Sequence, residues 1–303
     1  MHSYESTWLE LQEYFRHRNR HCHCGTMTLD IASLRNEFEG PHHLIETSDN
    51  QILFLRKWEP QKPDAKKTAI LLFHGITAYS GPYGLITKPL AELGFIVYGL
   101  DLRGHGLSDG NRGDSPSRER FIKDLCEAIQ FVKQHHPKVV LLGHSLGVLS
   151  SSLAMNSCLE NIDGVVLLSG ARKTRPDAYP PMSTSQKLKI VLNSVFRPSK
   201  PVIHYYRDGM IGLDNPLFNF HYTYRFMKIT GLRDFTYPDL GDMPVFVGIG
   251  DKDELFAVED CRLLYDEIPS SNKTFHVAEG GQHSEFPPGS WNPLYQWFDE
   301  QFD

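Results

Sequence analysis

The stretch VVLLGHSLGVLSSSLAM, residues 139–155, decides how the rest of the chain is read. An apolar run without polar alternation leads straight into Gly143-His144-Ser145-Leu146-Gly147, and a helix-compatible segment follows at once. Such a run suits a strand buried on both faces, as in a parallel sheet covered by helices. Glycines at 143 and 147 permit the sharp turn that leaves a serine hydroxyl standing above the sheet. The position of this G-x-S-x-G between a strand and a helix makes Ser145 the candidate nucleophile.

Working outward, short apolar runs recur: ILFLRKW (52–58), TAILLF (68–73), FIVYGL (95–100), GVVLLSG (164–170), PVFVGIG (244–250) and TFHVA (274–278). Segments of helical period lie between them. In SPSRERFIKDLCEAIQFVKQHHP, Ser115 is a possible N-cap with Pro116 at the first helical position, and Phe121, Leu125, Ile129 and Val132 recur every three or four residues. YGLITKPLAELG, AVEDCRLLYDEI and WNPLYQWFDEQF have the same texture. This alternation predicts an α/β fold with a mostly parallel central sheet, right-handed crossovers and helices on both faces.

Two regions break the rhythm. Residues 1–40 are polar and read as an N-terminal arm, leaving 41–171 and 241–303 as the α/β core. Residues 172–240 contain no strand-like run and read as an inserted helical lid over the carboxyl ends of the strands, where open α/β sheets bind their ligands. This insert holds eleven Lys or Arg against five Asp, a charge of +6, so that −12 remains on the rest of a chain whose net charge is −6. It also carries eleven Tyr or Phe. A solvated basic face is the plain reading. The functional one is transient contact with a membrane or lipid surface, with the aromatics lining an acyl pocket.

Composition narrows the class. With 303 residues, 40% hydrophobic, the chain suffices for one sizeable core with an inserted subdomain. No apolar run approaches the ~20 residues that span a bilayer, and the start lacks an apolar signal segment, so a soluble, cytoplasmic protein is expected. Five scattered cysteines suggest reduced thiols rather than a disulfide framework. Nothing in the charge points to nucleic acid. His21, Cys22, His23 and Cys24 are consecutive, which fits a tetrahedral ion poorly, and no metal or organic cofactor is expected.

A serine hydroxyl needs a base, and a histidine base needs a carboxylate to set its tautomer. His283 in AEGGQHSEF follows the last apolar run on a glycine-rich loop, placed to swing over the sheet. His144 is adjacent to Ser145 with its ring expected to point away from the hydroxyl, and His105 has no acid placed to orient it. In the chain order nucleophile, acid, histidine, the acid should end the strand before His283. GIGDKDELF (248–256) offers Asp251 and Asp253, and spacing alone does not choose between them.

From about residue 68 onward the chain resembles α/β-hydrolases with a lid, closest to the monoglyceride lipase and lysophospholipase group, akin to the serine aminopeptidase S33 type. The matching residues are His74-Gly75, DLRGHGLSDG (101–110), GHSLG (143–147), Gly250 and Asp253 of G-x-x-D, and GGQHS (280–284). The resemblance implies that Asp253 is the acid, with Asp251 and Glu254 capping the next helix or facing water. It places the oxyanion donors at the backbone N–H groups of Leu146 and Ile76, and Gly75, Tyr79 and His144 are expected beside the substrate. The sequence departs from the group at Ile76-Thr77-Ala78-Tyr79-Ser80 and at Val148, which bears on substrate more than on chemistry.

The expectation is a serine hydrolase of carboxylic esters, of monoacylglycerol or lysophospholipid type, with a small-molecule acyl ester as its partner. A feruloyl or short-chain esterase, a thioesterase and an acyltransferase are alternatives on the same residues. A hydrolase with an aspartate nucleophile is disfavoured because Ser145 occupies the turn, and a non-catalytic receptor would not retain Ser145, Asp253 and His283 together.

Overall fold

A strand that is apolar on both faces needs cover on both sides. The computed structural model, which describes residues 29–61, 66–179, 181–205, 212–230 and 235–302, supplies it. The elements run α1 (Ile31–Asn36), β1 (His42–Glu46), β2 (Ile52–Trp58), β3 (Thr68–Phe73), α2 (Gly84–Glu92), β4 (Ile96–Leu100), α3 (Arg118–His135), β5 (Lys138–His144), α4 (Leu146–Cys158) and β6 (Gly164–Leu168). There follow α5 (Thr184–Phe196), β7 (Pro201–His204), β8 (His221–Thr223), α6 (Tyr224–Ile229), β9 (Val245–Gly250), α7 (Val258–Glu267), β10 (Lys273–Ala278) and α8 (Asn292–Gln301).

Eight strands form one sheet in the order β1-β2-β4-β3-β5-β6-β9-β10. From β4 to β10 the pairs are parallel, while β2 runs antiparallel to both its neighbours. Alternate side chains of each strand enter two cores. Leu71, Val139, Leu141 and Val247 pack with α3, α4 and α7 on one face; Ile70, Val140, Leu142 and Phe246 pack with α2 and α8 on the other. Register aligns the strand ends: Phe73 lies opposite Gly143, His144 opposite Leu168, and Gly250 opposite Ala278. The loops carrying Ile76, Ser145, Asp253 and His283 therefore leave the same rim.

Several expectations change. Residues 29–40 are not an arm: Leu29, Ile31, Leu34 and Phe38 pack on Phe54, Tyr79, Leu107, Leu217 and Phe218, and buried Arg35 donates to Leu107 O at 3.0 Å and Asp109 Oδ1 at 2.8 Å. Strand β1 escapes a search for apolar runs because HHLIE is a half-exposed strand at the sheet's edge. Helix α3 begins two residues late. Ser117, in extended conformation, is its N-cap and accepts from Arg120 N at 3.1 Å, while Ser115 is drawn into the buried rim. The inserted segment is not wholly helical, since β7 and β8 pair as a two-stranded ribbon too short to show a period.

The cysteines need a correction as well. Cys126 and Cys158 are joined as a disulfide across 32 residues of sequence, with Cα atoms 6.0 Å apart; Cys261 is free and buried. Sequence separation concealed the pair because α3 and α4 become neighbours only when they pack on one face of the sheet. The His-Cys run at 21–24 lies outside the described residues. Among those described, no three His, Cys, Asp or Glu side chains are grouped so as to hold a metal ion, and no helix is long and apolar enough to cross a membrane.

Candidate active site

Strand β5 delivers the serine, and the close approach of helix α4 shapes the turn. Ser145 has φ 56° and ψ −112°, a left-handed conformation that L-residues adopt only under constraint. The constraint is contact. A Cβ on Gly147 would lie 2.0 Å from Phe73 O, and one on Gly143 2.2 Å from Gly147 O, so both positions need glycine. Ser145 N donates to Leu168 O at 3.0 Å, holding the turn against β6.

Three side chains that are far apart in sequence meet here. His283 Nε2 is 3.0 Å from Ser145 Oγ, and His283 Nδ1 is 3.0 Å from Asp253 Oδ2. Asp253 is 1% exposed and its other oxygen accepts from Leu255 N at 2.8 Å and Phe256 N at 2.9 Å. Burial alone would raise its pKa. Hydrogen bonding and charge attraction to His283, with those two N–H groups, outweigh burial and hold the carboxyl below its ordinary range. A carboxylate at Nδ1 requires the proton there, which leaves Nε2 as an acceptor for the serine O–H.

All three acids of GIGDKDELF engage the histidine or its loop. Asp251 Oδ1 accepts from Gly280 N at 2.7 Å, and Glu254 Oε2 accepts from His283 N at 3.0 Å. Neither caps the next helix, whose N-cap Ala257 makes no side-chain bond. Their carboxylates reach across to the loop after β10 because β9 and β10 are parallel neighbours whose end loops lie side by side. Arg175, expected to be part of a basic surface, donates from Nε to Asp253 O at 3.0 Å and braces the acid's own loop.

His144 has both ring nitrogens within hydrogen-bond distance of protein groups. It is buried, with Tyr83 Oη 2.8 Å from Nδ1 and His283 O 2.9 Å from Nε2. Burial first, and then the neighbouring His283, push its pKa down to about 3, so the ring is neutral and carries one N–H. The bonds then run one way. Gly75 N donates to Tyr83 Oη at 2.7 Å, the tyrosine donates to His144 Nδ1, and His144 Nε2 donates to the His283 carbonyl. Tyr83 sits in SGPYGL, which carries no catalytic pattern, and no sequence signal marks it.

Of the residues expected beside the substrate, Gly75 lies against the serine: a Cβ there would be 3.4 Å from Ser145 Cβ. His144 has both ring nitrogens committed to protein groups. Tyr79 is buried elsewhere, edge-on to Phe218 and accepting from Asn215 Nδ2 at 3.1 Å, because its loop turns away from the rim. His105 is fully buried and faces Arg103 O and Tyr222 Oη.

Leu146 N is the first N–H of α4, where no intrahelical partner exists and the helix dipole favours negative charge. Ile76 follows a pinned peptide. Gly75 O accepts from His74 Nδ1 at 2.8 Å and from Ala78 N at 3.2 Å, and His74 is itself fixed by accepting from Leu102 N at 3.1 Å. In a trans peptide the N–H points opposite the C=O, so pinning Gly75 O also sets the direction of Ile76 N–H.

Residues 64–286 match the Hydrolase_4 family, described as serine aminopeptidase, S33. A monoglyceride lipase of Rattus norvegicus is 26% identical over 254 residues, covering 80% of this chain and 82% of the relative. A monoacylglycerol lipase of Mycolicibacterium smegmatis is 25% identical over 252 residues, covering 76% and 85%. Among solved structures, a soluble variant of monoglyceride lipase from Saccharomyces cerevisiae in complex with a substrate analog superposes with a TM-score of 0.72 at 18% identity. It covers 88% of this chain and 97% of that one, and at that identity the likeness shows the α/β-hydrolase fold.

Two expectations follow from the geometry. Asp253→Asn leaves the imidazole without its carboxylate and should lower ester turnover by about 10⁴-fold, while Asp251→Asn should stay within about tenfold of wild type; steady-state assays of the two variants distinguish the acids. Stability should fall below neutral pH, because His144, held at about 3 rather than its ordinary 6.5, refuses a proton that the unfolded chain accepts. His74 and His105 are lowered for the same first reason, burial. Urea unfolding between pH 7 and 4 should therefore steepen with acid. For His144→Gln the slope should be shallower by up to about 1.4 kcal/mol per pH unit.

Proposed function

The chain belongs to the serine aminopeptidase S33 family, and from that premise we propose that it is a carboxylic ester hydrolase acting through Ser145, His283 and Asp253 on a hydrophobic acyl ester of monoacylglycerol or lysophospholipid type. The observation that carries this reading is the continuous line from Asp253 through His283 to a serine held in a left-handed turn, with hydrogen-bond lengths of 3.0 Å at both links.

His283 Nε2 takes the proton as Ser145 Oγ attacks the ester carbonyl, and Asp253 stabilises the imidazolium that forms. Leu146 N–H and Ile76 N–H receive the oxyanion of the tetrahedral intermediate. Collapse expels the alcohol, protonated by His283, and water on the same base then cleaves the acyl-enzyme. The family and the names of the relatives support an ester substrate, and the buried carboxylate–imidazole pair supports catalysis over a receptor role.

Residues 172–240 we read as a cap over the site. Helix α5 carries an apolar stripe turned outward: Leu188, Val191, Leu192, Val195 and Phe196 are exposed, the last two by 68% and 77%. Lys187, Lys189, Arg197 and Lys200 accompany it. An apolar face edged with cations suits the interface of an anionic bilayer, where an apolar substrate would reside.

Turnover of p-nitrophenyl esters should rise with acyl length from acetate toward medium and long chains, and Ser145→Ala should abolish both turnover and labelling by a fluorophosphonate probe. A preference for acetate would favour the short-chain esterase. Folded wild-type protein that takes no label would favour the receptor. For the cap, sedimentation with phosphatidylglycerol vesicles should weaken severalfold when Lys187 and Lys189 become Gln or Phe196 becomes Ser; unchanged sedimentation would leave the stripe without that role.

A further inference from the structure

We infer that Tyr222, on strand β8 of the inserted segment, is a positioning residue for the oxyanion loop, so that residues 219–222 set the direction of the Ile76 N–H from 146 residues away in sequence. This rests on the reading of Ile76 as an oxyanion donor. Tyr222 is 0% exposed, and its hydroxyl donates to Ile76 O. Asn219 O lies 2.9 Å from the same hydroxyl and His105 Nε2 3.2 Å from it. Asn219 N donates to Thr77 O at 3.0 Å, so the inserted segment grips two consecutive carbonyls of the loop that follows β3.

The mechanical consequence follows from peptide geometry. Ile76 N–H belongs to the Gly75–Ile76 peptide, whose carbonyl is held by His74 and Ala78. Ile76 C=O belongs to the next peptide. With one peptide pinned from the sheet side and the other by Tyr222, both dihedrals of Ile76 are fixed and the N–H cannot swing. His105 lies beside the tyrosine and backs it. Burial lowers its pKa well below 6.5, and hydrogen bonding to the backbone of Arg103, whose O is 3.0 Å from Nδ1, and of Ile76 opposes that lowering only in part. The tyrosine ring is in turn clamped between Phe226, with centroids 5.2 Å apart, and His105, at 5.7 Å. A hydroxyl anchored in this way moves little, and sub-ångström placement is what an oxyanion donor requires.

A residue with this role acts on the transition state and leaves ground-state binding alone. Tyr222→Phe keeps the ring and removes the donor. In the purified full-length protein its kcat on a p-nitrophenyl ester should fall about tenfold to hundredfold with KM within about threefold. Affinity for a trifluoromethyl ketone of matching chain length, which adds to a serine as a hemiketal oxyanion, should fall by the same factor. The thermal midpoint should stay within about 3 °C, as expected for loss of roughly one hydrogen bond. Unchanged kcat, a rise in KM alone, or a loss of kcat with full affinity for the ketone would overturn the assignment. Should Tyr222→Phe fail to fold, Asn219→Ala removes the 2.8 Å bond from its side chain to His221 O that seats the turn; kcat and ketone affinity should then fall together by about threefold to tenfold, and no change would overturn the assignment. Ser145→Ala, assayed alongside, separates the two readings: activity surviving there sinks the hydrolase itself, whereas its loss with an indifferent Tyr222→Phe sinks only the role of the tyrosine.

Discussion

The close approach of helix α4 to strands β3 and β5 is the constraint on which the site depends. Where Gly147 meets the backbone of Phe73 there is no room for a side chain, and Gly143 is pressed as closely against Gly147. The chain between them has no relaxed path, so Ser145 takes a positive φ and projects at the rim. The packing that produces this strain comes from the two cores on either face of the sheet. Local distortion at the serine is thus offset by burial across the whole domain.

The histidine loop illustrates a second principle, that a loop becomes as rigid as its neighbours when its backbone is fully engaged. Gly280 N and His283 N are taken by Asp251 and Glu254, His283 O by His144, and the ring by Asp253 and Ser145. Three of these groups come from one nonapeptide at the end of β9, the strand beside β10. His144 adds a link in the other direction, since it joins the histidine loop through Tyr83 to Gly75. The loops bearing the proposed base and the proposed oxyanion donor are tied together behind the serine.

The inserted segment divides into two kinds of contact. Helix α5 turns apolar side chains outward, toward whatever it meets. Residues 215–223 turn inward: Asn215 reaches Tyr79, Asn219 and Tyr222 hold the loop after β3, and Thr223 donates to Asp114 at 2.7 Å. One part of the segment is thus anchored to the rim that carries Ser145, and another is exposed.

Much of this was legible in the amino-acid sequence, and physical reasons mark where legibility ended. The buried strands β3 to β6 and β9 could be read because two-sided burial demands unbroken apolar runs, and the serine because a strand-to-helix turn this tight demands glycines at fixed spacing. The edge strand β1 and the ribbon β7–β8 could not, since short half-exposed strands carry no period. The choice between Asp251 and Asp253 lay beyond spacing, because both leave the same strand end and only the path of the backbone sends one to the ring and the other to Gly280. The Cys126–Cys158 pair, the burial of His144 and Tyr79, and the hold of Tyr222 on Ile76 were settled by tertiary packing alone. Local sequence determines which backbone shapes are possible; which side chains become neighbours depends on how distant segments stack on the sheet.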